Sequence, residues 1–574
     1  MPEVIELTPF EHANQLVQGW MDGAGAKIVR RTKSATAGGK NASWDMSLPH
    51  PIQGEQRVRL SLLKDFPATA PQIYFDKNLC LIWPHVEESG RFCHGVEPGR
   101  EDYVDPVRVV REVLERLRGF WEDSQNPDWI RTEFQNERLS YWVRFCHLLN
   151  QASGRLTPKA SVVECADGEG VVEGRVATYF STKRHARSRL LVATVGDSDP
   201  NVLAHRHGWA SSTLVRGSAL FIPMRDDMSW GPTNWPQTFD QLSALVDGFT
   251  GKQHTIAQWI NRKADEHQRP FLVVLMENKV PYGYLVSAAV IRGMTAPQIT
   301  PITLERVDPD WALARDQELP VMALRRRQRV LVLGCGSLGA PIAELLARAG
   351  IGELHLLDME SFEPENCARH ILGAKDIGSG KADALAKHLS RAIPGLTVKG
   401  IPGTAATYIS GKCKPSDYDL VVDCTGESAV RDLLALYRQR SLGGCPSVHA
   451  WMEPFCSAAH VVYLGKDFYW PHGDPPEKVN VAQWPMNTRV KLLACNAGFH
   501  PYGAADAWQA SGFVAERLLA VLDDATMPPT VWSWVRSTTF FQSLNVDMKC
   551  GPLVPQSDQL FDSVHISRDV DGFF

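Results

Sequence analysis

Several things are missing from this sequence, and each absence narrows what it can be. No apolar run approaches ~20 residues, so no segment reads as a transmembrane helix. The opening residues have neither a basic n-region nor an apolar h-region, so no secretory leader is expected. Neither sign of charge dominates: 60 Lys and Arg stand against 65 Asp and Glu, a net −5. That balance does not fit a chain built to grip nucleic acid or an anionic membrane. Cysteine is sparse, 12 in 574 residues, and no C-x-x-C pair occurs, so neither a disulfide scaffold nor a paired-cysteine zinc site is expected. Internal repeats and low-complexity tracts are absent too. What remains, 44% hydrophobic and 22% charged, is a chain able to fill three or four cores at roughly 150 residues each. The expectation is a cytoplasmic protein with reduced thiols and no nucleic-acid or membrane partner.

Periodicity divides the chain into three expected domains: 1–150, 151–320 and 321–574. In the first, 9–21 has helical spacing, 26–33, 43–48 and 56–63 alternate as strands, and 105–123 is an amphipathic helix with an Asp-Pro start. Strands followed by helices indicate α+β order. The middle has strand-like runs at 189–195, 271–276 and 283–292, with helices near 237–249 and 254–267, and reads as an α/β linker domain without a motif. From 329 the order is strand, glycine loop, helix, strand, with a further strand at 420–424 and a helix near 428–440. This predicts a mostly parallel, doubly wound Rossmann-like sheet and an α/β protein overall.

Gly334, Gly336 and Gly339 form G-x-G-x-x-G between a strand and a helix, where backbone can approach a phosphate and the helix N-terminus favours its charge. Asp358 ends the next strand, placed to accept hydrogen bonds from a ribose. These features alone suit an NAD-dependent oxidoreductase. Asn366, Arg369 and Lys381 just beyond them do not. Hydride transfer has no need of that set, whereas cleavage between the α- and β-phosphates of ATP does, because its cations stabilise the charge that grows on the α-phosphate and the departing pyrophosphate. Asp423, in V-V-D-C-T-G-E at the carboxyl end of a later strand, is placed to hold Mg²⁺.

From about Arg329 to Leu522 this set resembles the ubiquitin-activating and ThiF/MoeB family of adenylating enzymes. The resemblance implies ATP and Mg²⁺ as cofactors, with the three glycines around the phosphates and Asp358 on the ribose. Asn366, Arg369 and Lys381 would meet the phosphates, and Asp423 would be the metal residue. It also implies a homodimer through this domain. The structural zinc common in the ThiF branch is not expected here. That family often takes a further Arg from the partner subunit, for which Arg325–Arg327 are the nearby candidates. Many members carry an acyl-accepting Cys before the last helices; Cys495 matches that place, and Cys550 is its rival.

Residues 66–95 hold a second pattern: F-P-A-T-A-P-Q-I-Y-F, then Trp83-Pro84-His85, then Cys93 eight residues on. This resembles a ubiquitin-conjugating enzyme, with Cys93 at its catalytic cysteine. The departure is His85, where that family has Asn. Its imidazole could donate to an oxyanion, deprotonate an incoming amine, or hold the loop. His94, if cationic, could favour the Cys93 thiolate, and an exposed bystander is the equal alternative.

Conjugating part first and activating part last, the chain resembles the CD-NTase-associated activating–conjugating fusions of CBASS antiphage systems. The resemblance implies adenylation of a protein's C-terminal carboxylate, with a CD-NTase as donor. A thioester relay from Cys495 to Cys93 and ligation to a target lysine would follow. Conjugation of a bacterial ubiquitin-like protein and ThiF/MoeB-like sulfur-carrier adenylation are the alternatives, with the oxidoreductase more distant.

Overall fold

The computed structural model describes residues 7–23, 28–31, 42–52, 54–153, 158, 160–165, 170–180, 189–209, 215–225, 230–264, 270–287, 297–314, 319–473, 476–485, 488–491 and 498–573. Contacts gather these into two compact units. One is Met1–Val202 with Ala210–Arg306, the other Leu203–Trp209 with Val307–Phe574.

The first unit starts with helix α1 (Pro9–Gly23) and a four-stranded antiparallel sheet in sequential order: β1 (Ile28–Arg31), β2 (Ala42–His50), β3 (Gly54–Leu62) and β4 (Gln72–Tyr74). Alternation does its expected work here. Ala42, Trp44 and Met46 of β2 and Val58, Leu60 and Leu62 of β3 all turn to one face, where they meet Ala13, Val17 and Met21 of α1. The three-residue β4 is too short to show a period and escapes a sequence reading. Helix α2 (Pro106–Asp123) starts where the Asp-Pro pair says it should: the Asp105 side chain accepts from the Val107 N–H and Pro106 sits in the first turn. Two further helices, α3 (Pro127–Asn136) and α4 (Arg138–Ser153), follow.

The linker region forms an eight-stranded mixed sheet rather than three isolated strands. Its middle hairpin, Phe271–Glu277 with Val280–Ser287, turns through Asn278 and Lys279, both at positive φ as a two-residue hairpin turn requires. The run at 283–292 is therefore the second arm of a hairpin up to Ser287, and its remainder lies outside the described residues. Helix α4 packs onto this sheet: Trp142 Nε1 donates to the Ile302 carbonyl at 3.1 Å, and Asn150 Nδ2 to that of Pro301 at 2.8 Å.

In the second unit, five strands run parallel in the order Thr397–Pro402, Glu353–Asp358, Arg329–Leu333, Leu420–Asp423 and Ser447–Met452. Ala458–Leu464, Thr530–Arg536 and Ser563–Asp569 extend the sheet antiparallel. The doubly wound part is thus confined to the first five strands. Successive residues of Arg329–Leu333 enter different cores, Val330 and Val332 one and Leu331 and Leu333 the other. Burial on both faces explains why this strand is a continuous apolar run. No helix among the described residues is long and apolar enough to cross a membrane.

Candidate functional site

The carboxyl ends of the parallel strands gather the glycine loop and its neighbours through a ring of contacts. Gly334 has φ +83°, and a Cβ on Gly339 would fall 1.9 Å from the Gly334 carbonyl oxygen, so both positions require glycine for the turn itself. Gly336 differs: a Cβ there would meet no protein atom within 4 Å. Packing does not demand that glycine, while close approach of a phosphate to the loop would.

The Asp358 carboxylate closes the loop from below. Its Oδ2 accepts from the Cys335 N–H at 2.7 Å and its Oδ1 from the Glu360 N–H at 2.8 Å. Glu360 in turn receives the buried Lys381 ammonium at 2.5 Å. Lys381 opens the helix Lys381–Ala392, where the helix dipole disfavours a cation, and Glu360 offsets that cost. Asn366 Oδ1 accepts from the Glu363 N–H at 3.0 Å, tightening the turn that presents Arg369. Arg369 Nη1 donates to the His500 carbonyl at 3.2 Å, and its guanidinium lies 4.6 Å from the centre of the Tyr502 ring. Tyr502 closes the ring of contacts, its hydroxyl 2.6 Å from that of Ser337 in the glycine loop.

Several of these partners have no motif signature. His370 donates from Nε2 to the Cys335 carbonyl at 2.7 Å while its Nδ1 accepts from the Leu372 N–H at 3.0 Å. That pairing fixes a neutral imidazole, and burial pushes its pKa down as well. Asp423 is buried, its Oδ1 held by the Thr425 N–H and hydroxyl at 3.0 and 2.7 Å and its Oδ2 by His449 Nδ1 at 2.9 Å. An ionised carboxylate offers about four lone-pair sites, so one remains for a cation that takes most of its ligands from phosphates and water. Among the described residues, no cluster of three or more His, Cys, Asp or Glu could hold a metal.

Of the candidate partner-supplied arginines, Arg325 is committed within its own unit. It forms a bidentate pair with Asp523 at 2.8 and 2.6 Å. Arg326 donates to the Gly395 carbonyl at 3.1 Å. Cys495 lies outside the described residues. Cys550 is largely exposed in a short strand paired with Ala482–Gln483, and partial desolvation followed by the Glu453 charge raises its thiol pKa, which is the wrong direction for an activated nucleophile.

In the first unit Cys93 is exposed, and its N–H donates to the His85 carbonyl at 2.8 Å. His85 has φ +59°, and its own N–H donates to the Tyr141 hydroxyl of α4 at 2.8 Å. Both ring nitrogens face acids: Nε2 lies 2.9 Å from Glu133 and Nδ1 3.9 Å from Glu137. His94 is not a cation beside the thiol. Its Nε2 donates to the Pro71 carbonyl at 2.9 Å and its Nδ1 accepts from the Val96 N–H at 3.1 Å, so it is neutral and supplies no imidazolium beside Cys93.

Residues 316–450 match the family model described as the ThiF family. A Pseudomonas aeruginosa protein named ATP-dependent ubiquitin transferase-like protein Cap2 is 31% identical over 395 residues, covering 65% of this chain and 65% of its own length. A Vibrio cholerae protein of the same name is 31% identical over 235 residues, 39% of this chain and 40% of its own length. The Aspergillus fumigatus adenylyltransferase and sulfurtransferase uba4 is 37% identical over 114 residues, 19% of this chain and 22% of that protein. The matched stretches span less than two thirds of each of these relatives. Among solved structures, E. coli MccB with AMPCPP and MccA shows 17% identity and a TM-score of 0.30 over 42% of this chain and 67% of that one, too low to argue from.

Proposed function

We propose, from the premise that residues 316–450 form a ThiF-family domain in a chain related to ATP-dependent ubiquitin transferase-like proteins, that the protein activates a protein carboxylate with ATP and ligates it to an amine. The observation that carries the reading is the ring of contacts joining the glycine loop, Asp358, Lys381 and Arg369. It links the glycine loop to two cations, which supports adenylation over hydride transfer.

In the first step a carboxylate oxygen of the donor's C-terminus attacks the α-phosphorus. The new O–P bond forms as the bond to the β-phosphate breaks, and pyrophosphate leaves. The backbone around Gly334, Gly336 and Gly339 approaches the phosphates, and Asp358 holds the ribose. Arg369 and Lys381, presented by the Asn366 turn and by Glu360, take up the charge on the phosphates. Mg²⁺, when bound, would neutralise pyrophosphate, with Asp423 as its protein ligand. In the second step the Cys495 thiolate attacks the acyl carbon and AMP leaves. The Cys93 thiolate then displaces Cys495, and a target lysine amine displaces Cys93, losing a proton as the amide forms. His85 holds the loop that presents Cys93.

The donor we propose is a CD-NTase, within a CBASS defence system in the cytoplasm, with a homodimer formed through the adenylating domain. A bacterial ubiquitin-like protein is the other donor of the same chemistry. The likeness to uba4 favours a second reading, a sulfur-carrier adenylyltransferase in which Cys93 has no part.

The test is non-reducing mass spectrometry with ATP, Mg²⁺ and either donor, comparing the wild type with Cys93→Ala and Cys495→Ala. A reducible adduct that persists on Cys495 without Cys93, and never forms without Cys495, is expected. Pyrophosphate release with no adduct on either cysteine would leave the sulfur-carrier reading in its place.

A further inference from the structure

Tyr502 carries none of the sequence motifs, yet it touches two separate parts of the nucleotide site. Its hydroxyl lies 2.6 Å from the Ser337 hydroxyl, which belongs to the glycine loop between Gly336 and Gly339. Its ring faces the Arg369 guanidinium at 4.6 Å, and Arg369 also donates to the carbonyl of His500, two residues before it. A long, rotatable arginine side chain is thereby fixed in plane and direction, at less entropic loss when an anion arrives.

Tyr502 is also well anchored. It precedes Gly503, the N-cap of the helix Ala504–Asp523, and the Gly503 N–H donates to Asp506 Oδ2 at 2.8 Å and ties the first turn. Asp506 Oδ1 in turn receives the buried Arg536 at 2.5 Å. The tyrosine therefore stands on a braced helix start, a base suited to holding mobile groups in place.

We infer that Tyr502 is a positioning residue of the nucleotide site, its hydroxyl seating the glycine loop through Ser337 and its ring seating Arg369, so that loop and cation meet a nucleoside triphosphate as one unit. This rests on the nucleotide reading above. No atom of Tyr502 needs to touch the nucleotide; it acts through Ser337 and Arg369. Hydroxyl and ring do separable jobs, which makes the inference open to dissection.

The experiment measures Mg²⁺·ATP binding to the full chain by calorimetry, with melting temperature recorded for each variant. Tyr502→Phe keeps the ring and loses the hydroxyl contact, as does Ser337→Ala from the other side. Each should weaken binding by about threefold to tenfold, the worth of a single hydrogen bond. The double variant should be no weaker than either single one, because both remove the same contact. Tyr502→Leu should lose about a further fivefold by removing the seat of Arg369. Three results would overturn the inference: Tyr502→Leu binding like wild type, Tyr502→Phe and Ser337→Ala multiplying in the double variant, or melting temperatures falling while affinity holds. Wild-type protein that fails to bind Mg²⁺·ATP would instead remove the nucleotide reading, and the inference with it.

Discussion

The two candidate sites are built on opposite plans. Around the glycine loop the groups proposed for the nucleotide already have protein partners: Lys381 has Glu360, Arg369 has Tyr502 and the His500 carbonyl, and Asp358, proposed for the ribose, has two N–H donors. Around Cys93 the thiol is exposed, the neighbouring His94 is held neutral, and the His85 imidazole is turned to Glu133 of α3 and to Glu137 just after it. On the reading proposed above, the first arrangement would stabilise charge that grows during adenylation, where fixed dipoles and cations are worth most. Around Cys93 no neighbouring imidazolium does so, and Arg91, which interacts with the thiol, is itself paired with Glu87. In the step where Cys93 would take an acyl group from another thioester, accessibility and placement matter more than electrostatic activation, since that exchange is close to thermoneutral.

The sharpest way to break that contrast is to remove one site and watch the other. Cys93→Ala should abolish transfer to the target amine completely while ATP–pyrophosphate exchange proceeds at the wild-type rate. Loss of exchange in that variant would join what the contrast separates. On the other side, Arg369→Ala or Lys381→Ala should each lower exchange by about 10²- to 10³-fold, the usual cost of deleting a group that stabilises transition-state charge. Ligation should fall in proportion, because it is downstream. Direct loading of Cys93 from a synthetic thioester donor should survive both substitutions.

A smaller effect separates the glycines. Gly336→Ala adds a methyl group that meets no protein atom, so the melting temperature should hold while Mg²⁺·ATP affinity drops at least about tenfold, as expected where backbone must approach phosphate. Gly339→Ala drives the same methyl group into the Gly334 carbonyl oxygen, and should cost about 1–3 kcal/mol of stability by urea unfolding. If Gly336→Ala destabilised the fold as much as Gly339→Ala, the loop would be a packing device and the argument for a phosphate there would weaken.

What could be read in advance follows the range of the interactions. The glycine loop, Asp358 and the Asn366–Arg369 turn lie within one continuous stretch, and a motif is a contiguous thing. The hairpin of β2 and β3 showed itself because one face is buried and the period is two. By contrast, Ser337 and Tyr502 are 165 residues apart, and His449 reaches Asp423 from the adjacent strand; only the folded sheet brings such pairs together. The linker sheet was legible only in part: the apolar runs at Phe271–Glu277 and Val280–Ser287 stand out, whereas Ala160–Glu164, Val172–Phe180, Val215–Pro223 and Gln298–Ile302 do not, and Val215–Pro223, buried from Gly217 to Ile222, shows no alternation. His94 stayed open for a related reason: adjacency to Cys93 allows a cation or a bystander alike, and the Pro71 carbonyl that fixes its proton is 23 residues away and visible only once the loop closes over β4.

That histidine supplies the smallest expected effect and a direct check on the bare-thiol plan. Burial is the main cause holding the His94 pKa below 6.5, reinforced by Arg91 and opposed by the Pro71 hydrogen bond and by Glu112. The unfolded chain therefore takes up a proton near pH 6.5 that the folded loop refuses. Between the folded pKa and that value the unfolded state binds more protons, so stability rises with pH. The contribution is complete above about 6.5 and is lost as pH falls through it. His50, whose pKa is also lowered by burial, adds to the same trend. His94→Gln should accordingly shrink the loss of urea midpoint between about pH 7.5 and 5.5, followed by tryptophan fluorescence. At the upper pH, the rate at which iodoacetamide alkylates Cys93 should be the same in His94→Gln as in wild type, because a neutral imidazole lends the thiol nothing. A marked slowing would mean that the imidazole carries charge in solution, and that Cys93 is activated after all.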